Sequence, residues 1–592
     1  MFASLVPDAL RRGRREYFAL PVLTGDSDGE SSSDAYAEKS SSSEEERVSV
    51  DDTLIADSLT DSRILDFGND EKVFASQNAP WGFHPKVWAV LGKLRVLAPS
   101  FLVREDGDKP PVRLHPSAWL DGLRGTAAFL VVWHHSSLVY FSWRVHDGYA
   151  SSPGADWLHL IQLPIIRLVI SGAPQVKIFF AISGYALSYK PLKLARAGRF
   201  NEWASALSSS VFRRHPRLFL PAVFILFLGT LGGWFQLYGG QGATGGDNWN
   251  SHVAVPVRAP PYKEALGEQF AHWARTVLSI TNPLATDLRR GATPYDWNLW
   301  TLPMEFDCSL VVFLCLAAFA RLRSVPRLFL TAAVAAYALW YTHWAPFLFL
   351  GGMFICDLHF ELEDAGSAMA ATPLPSVAQP VPASDRRTGF CARWRRSLDR
   401  LGARAASALP RTVTETTARV AASPAFPKVL WTASLLTSLW LLSVPENNRG
   451  GRTSPFYMVL TSHIPANYGP DEENHWWLSL GAVLLVFTID RAGPFLQRIF
   501  TSRPAQYLGK ISYALYLVHG PIVFSLGWHL GRWCTALTGR ETTAGWGAGV
   551  ALAYLGLWPV LFWVADIASR LVDVKSVEFS KWSYDRMVKK VI

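Results

Sequence analysis

The chain has 592 residues, 49% of them hydrophobic and only 18% charged, with 25 Trp, 34 Phe and a net charge of +9. Soluble domains carry about 25% charged residues, so a string of soluble domains is excluded and an integral membrane protein is indicated. The five cysteines (Cys308, Cys315, Cys356, Cys391 and Cys534) have no CxxC spacing, which excludes a disulfide framework and a zinc signature.

Residues 1–83 are expected to form a disordered cytoplasmic tail. They are acidic and Ser-rich from Asp26 to Asp61, with too few apolar residues to offset the entropy of ordering. The apolar stretch from Phe18 to Leu23 is too short for a signal peptide. Residues 84–104 mix Lys86, Lys93 and Arg95 with Trp88, Leu91, Leu94 and Leu97. That pattern predicts a short amphipathic helix on the membrane surface.

Residues 113–592 are expected to form one membrane domain. Its apolar runs lie near 117–141, 175–190, 218–238, 297–320, 326–342, 344–361, 428–445, 475–490, 507–530 and 545–569. Several approach the roughly 20 residues that span a bilayer. The expected fold class is therefore all-α, a polytopic membrane helix bundle of about ten transmembrane helices. The second run contains Lys177, and residues 362–427 read as a low-complexity basic cytoplasmic loop.

Basic residues fall in alternate connections. Lys190, Lys193, Arg213, Arg214 and Arg217 follow the second run, Arg321 and Arg323 the fourth, and Arg386, Arg387 and Arg393 the sixth. Arg498 and Arg503 follow the eighth, and Lys575 and Lys589 lie in the C-terminal tail. By the positive-inside rule this predicts both termini in the cytoplasm. It also accounts for the net charge without nucleic acid.

Ionisable residues inside apolar runs are costly and mark function. Arg124 and His135, in LDGLRGTAAFLVVWHH, are eleven residues apart. They share one helix face at two depths, roughly 16 Å apart along the axis. His134 points about 100° away from His135. Glu305, in LWTLPMEFDCSL, is expected at a depth comparable to His135, where a carboxylate can fix the tautomer of an imidazole. Arg214 and Arg217 form an RxxR in FRRHPRLFLP, expected at the cytoplasmic mouth of the third helix, and arginine forks suit phosphates. In KIFFAISGYALSYK, Ser183 and Gly184 allow close helix approach, and Tyr185 can hydrogen-bond within the bundle. His519, in ISYALYLVHGP, fits a structural role as well as a catalytic one. No Walker A loop, GxSxG, HExxH or HxxxxD motif occurs. No resident cofactor or metal is expected. A transporter or flippase also keeps buried Arg, His and Glu, but no internal repeat of the transporter kind is visible.

The pieces LDGLRGTAAFLVVWHH, VKIFFAISGYALS, SSVFRRHPRLFLPA, LWTLPMEF and LGKISYALYLVHGP occur in that order over roughly residues 117–570. Together they resemble the membrane acyltransferase 3 family, in particular its fungal members. The resemblance implies ten spans and transfer of an acyl group, acetyl as the first choice, from acyl-CoA as co-substrate. The acceptor would be a hydroxyl of a glycan, lipid or small metabolite. The implied partners are acyl-CoA, that acceptor and membrane lipid. The family's first-helix Arg and His match Arg124 and His135, its RxxR matches Arg214 and Arg217, and its fourth-helix Glu matches Glu305. Lys177 departs from the family, because many relatives have an acidic residue there.

Overall fold

The computed structural model describes residues 98–100, 114–241, 259–284, 293–370, 426–445, 448–469 and 472–588. The tail expected over 1–83 and most of the amphipathic segment expected over 84–104 lie outside the described residues. So does most of the basic loop expected over 362–427.

The described residues contain helices and no strand. The first seven helices are α1 (Ala118–Tyr140), α2 (Ala173–Arg196), α3 (Phe200–Trp234), α4 (Leu266–Thr281), α5 (Thr301–Phe319), α6 (Ser324–Trp340) and α7 (Trp344–Ala370). They are followed by α8 (Phe426–Leu442), α9 (Glu473–Ala492), α10 (Pro494–Phe500), α11 (Arg503–Ile522), α12 (Trp528–Thr538), α13 (Thr543–Ala568) and α14 (Val574–Met587). Pro174 and Pro504 sit in the first turns of α2 and α11, where a missing N–H costs nothing.

Five helical stretches are long and apolar enough to cross a membrane, and a sixth is added if α9 and α10, bent by 113°, count as one. The expected ten are not reached by this measure. Arg124, His134 and His135 in α1, and Lys177 and Lys190 in α2, lower the mean hydropathy of those helices. The helices α6 and α8 are 17 residues each. Neighbour directions nonetheless follow a regular pattern. The α1 and α11 helices run the same way, with Gly125 beside Gly509 and the Tyr140 hydroxyl donating to Gly527 O at 2.7 Å. The α2 and α7 helices also run the same way, from Gly184 beside Phe349 to Arg196 beside Glu361 at 2.8 Å. The α8 and α9 helices are antiparallel, as the Ser434–Thr488 hydroxyl contact at 2.6 Å and the packing of Gly481 on Leu442 show.

Lipid-exposed helices gain nothing from hiding apolar surface, so small residues that let backbones approach hold such bundles together. A methyl group on Gly184 would run into the carbonyl of Phe349, and one on Gly352 into that of Ala181. Gly125 and Gly509 do the same for α1 and α11. The apolar core has two parts. Trp119, Leu123 and Ala127 of α1 pack with α2, α5, α7 and α9. Ala128, Val132 and Val139 of the same helix pack with α3, α11 and α13.

Several expectations change here. The α3 helix begins at Phe200 and runs for 35 residues, so Arg214 and Arg217 lie within a continuous helix that begins well before the apolar run. The apolar run starts near 218, but the preceding polar residues continue the same helix. The α4 helix was not expected. Its Phe270 and Trp273 pack on Phe227, with ring centroids at 5.9 and 5.6 Å. A π-turn at Val523–Gly527 joins α11 to α12. It follows Pro521, whose ring removes a ladder donor and forces the local rearrangement. A second π-turn at Ser569–Asp573 joins α13 to α14. Lys177 is buried and lies over the Trp344 ring at 3.3 Å, a cation–π contact that offsets part of its desolvation.

Candidate active site

The site is built along one helix, α11, whose residues from Gly509 to His519 hold three stations. At the first, Arg124 donates from Nε to Ser512 Oγ at 2.9 Å and from Nη2 to Gly509 O at 2.9 Å. Its guanidinium also lies 3.2 Å from Asp121. Arg217 has Arg124, Arg214 and Asp573 as charged neighbours.

At the next station Tyr513 donates to Leu218 O, with Glu305 and Arg214 close by. Arg214 and Glu305 form an ion pair at 2.7 Å, and Ser183 Oγ lies 3.5 Å from the same Glu305 oxygen. Above it, the Tyr516 hydroxyl meets Thr301 Oγ1 at 2.6 Å and donates to Asn298 O.

His519 is the third station. Its Nδ1 lies 2.6 Å from Tyr516 O, and its Nε2 lies 3.0 Å from His135 Nδ1. The two rings stack with centroids 5.0 Å apart. A carbonyl oxygen only accepts, so Nδ1 of His519 carries the hydrogen. With both rings neutral, His519 Nε2 is then the acceptor and His135 Nδ1 the donor. His135 is left with a bare lone pair on Nε2, the form a general base requires.

His134 is held differently. Its Nδ1 lies 2.6 Å from Ile170 O, and Gly172 packs against its ring. His146 Nδ1 approaches the same carbonyl at 3.2 Å. Among the described residues no group of His, Cys, Asp and Glu is arranged to hold a metal ion.

The structure thus brings together Arg124, Arg217, Arg214, Glu305 and Ser183 at one level, and His135 and His519 at another. Tyr513 and His519 are six residues apart, so the levels differ by roughly 9 Å along the helix. Glu305 does not stand at the depth of His135, and the partner of His135 is His519. In a low dielectric Glu305 pairs with the nearest cation, and that is Arg214. Tyr185 lies on the opposite face of α2 from Ser183. It donates to Asp490 at 3.0 Å inside the packing of α2 against α7 and α9. Tyr513, Tyr516, Asn298 and Asp573 were not singled out from the sequence. The i, i+3 spacing of Tyr513, Tyr516 and His519 on one face was the signal available.

Comparison with known proteins decides the family. Residues 117–565 match the model of the acyltransferase domain of the acyltransferase 3 family. The chain belongs to the acyltransferase 3 family. It is 37% identical over 506 residues to O-acetyltransferase PaAT-1 of Phomopsis amygdali, covering 84% of this chain and 89% of that protein. It is 26% identical over 493 residues to acyltransferase clz18 of Cochliobolus lunatus, covering 77% and 93%. Acyltransferase R4 of a Phoma species is 24% identical over 492 residues, again covering 77% and 93%. No solved structure matches the chain. As a family member the protein is an integral membrane O-acyltransferase, and the group it transfers is not an amino-acyl group.

Proposed function

We propose that this acyltransferase moves an acetyl group from acetyl-CoA to a hydroxyl of a glycan, lipid or small metabolite, with His135 as general base. The hydrogen-bond chain Tyr516 O–His519–His135 carries the proposal, because it leaves His135 Nε2 free to accept a proton. Acyl-CoA docks at the arginine level, where Arg124 and Arg217 meet its phosphates and Arg214 does so from its pair with Glu305. The thioester reaches up the face of α11 toward His135. The acceptor O–H gives its proton to Nε2 as the new C–O bond forms. The C–S bond then breaks, and CoA leaves as the thiol with that proton. Donors beside the carbonyl oxygen lower the barrier at the tetrahedral stage. The proposed topology has the arginine level nearer the cytoplasm, both termini on that side and ten spans, a reading supported by the alternation of basic residues between connections.

The name of the Phomopsis relative, an O-acetyltransferase, supports the choice of acetyl. The test uses the purified protein in lipid nanodiscs with radiolabelled acetyl-CoA and a panel of glycans, lipids and alcohols. Labelled ester and free CoA are expected to appear in equal amounts with at least one class. CoA turnover with long-chain donors only, or none with any acceptor, would refute the proposal.

A further inference from the structure

The arginine level carries its own counterions. Arg124 lies 3.2 Å from Asp121, and Arg214 pairs with Glu305 at 2.7 Å. Arg217 has Asp121 and Asp573 among its charged neighbours, along with Arg124, Arg213 and Arg214. The carboxylates come from three separate elements. Asp121 stands in the first turn of α1, Glu305 in α5, and Asp573 at the end of the π-turn that joins α13 to α14. That π-turn packs on α3 and α11, the helices that carry Arg217 and Tyr513.

The Asp121 pair has two properties that make it replaceable. Arg124 does not depend on it for position, because Ser512 Oγ and Gly509 O already accept from its Nε and Nη2, each at 2.9 Å. The pair is also open, with 22% of the Arg124 side chain and 21% of the Asp121 side chain exposed. An ion pair this open contributes little. A phosphate brings more charge and more acceptor oxygens to the same guanidinium.

We infer that Asp121 is a placeholder for a phosphate of the donor. It balances Arg124 and Arg217 before acyl-CoA enters and yields them to the phosphate afterwards. Cations packed together in a membrane helix bundle are costly without counterions, and Asp121 supplies one that a ligand can displace. The arginines thereby stay preset for the donor. This deepens the proposed function and rests on its docking step.

The probe is CoA itself, titrated calorimetrically into the purified full chain in nanodiscs of neutral lipid. The thermal midpoint of the ligand-free protein is read on the same samples. A placeholder gives the two readouts opposite signs. Asp121→Asn is expected to bind CoA about fivefold tighter, since the competing charge is gone, and to unfold at a lower temperature without ligand. Asp121→Ser, which removes the charge and leaves a smaller polar group, is expected to shift both readouts the same way. Both variants are purified with CoA present and then freed of it, which keeps them folded up to the measurement. A purely structural carboxylate, of the kind favoured near a helix N-terminus, would lower affinity and stability together. Unchanged or weaker CoA binding in the two variants would overturn the inference and leave acetyl transfer standing. CoA binding by neither wild type nor variants would contradict the docking step, and the inference falls with it.

Discussion

At position 519 an imidazole in a membrane helix needs partners for both ring nitrogens. His519 has them in the Tyr516 carbonyl and in His135 Nδ1. In the proposed mechanism it acts through His135, as a positioning residue that fixes which nitrogen of the base is bare. Replacing such an orienting partner costs orders of magnitude in kcat where tautomer control is lost. His519→Ala is therefore expected to lower kcat by about a hundredfold while KM for acetyl-CoA stays within about threefold. His519→Gln, whose amide oxygen can accept from His135 Nδ1, should recover part of the loss in the same steady-state assay. A loss that Gln does not relieve, with KM and kcat falling together, would mark His519 as packing alone. The sequence made Arg124 and His135 legible because both interrupt an apolar run on one face. It did not reveal the partners. Depth counted from the end of an apolar run placed Glu305 beside His135, whereas the charge on Arg214 holds it about two turns away.

Glycines let the backbones of α2 and α7, and of α1 and α11, approach closely. The carbonyl of Phe349 occupies the place of a side chain at 184, and that of Ala181 the place of one at 352. Adding a methyl group forces α2 and α7 apart or strains them, which costs about 1–3 kcal/mol in a packed core. Gly184→Ala should lower the thermal midpoint of the detergent-solubilised protein. Gly547→Ala, in α13 with nothing within 4 Å, should hold or slightly raise it by helix propensity. Equal effects of the two substitutions would contradict the close-approach reading. Most helix positions were legible from apolar runs. The extension of α3 back to Phe200 was not, since polar residues there hid a continuous helix. The amphipathic α4 was passed over because a stripe of Phe270, Trp273 and Val277 is too narrow to count as an apolar run. The π-turn after Pro521 arises from a backbone effect that hydropathy does not register.

On the scale of the whole molecule, the parallel pairing of α1 with α11 sets the order of the proposed site residues. Residues far apart in sequence meet in order along that seam: Arg124 with Ser512, His135 with His519, Tyr140 with Gly527. In the proposed mechanism the arginine level takes the phosphates of the donor and the His135 level its reactive thioester. The family match over residues 117–565 fixes the class of reaction, and His135, the proton acceptor of the proposed mechanism, lies on the seam. The most direct test is single-turnover transfer of labelled acetyl from acetyl-CoA by wild-type protein and His135→Ala in nanodiscs, with CoA binding measured on the same samples. The expected result is at least about a hundredfold slower ester formation in His135→Ala, with CoA binding within about twofold of wild type. Ester formation at the wild-type rate in His135→Ala would contradict the assignment of His135 as the base.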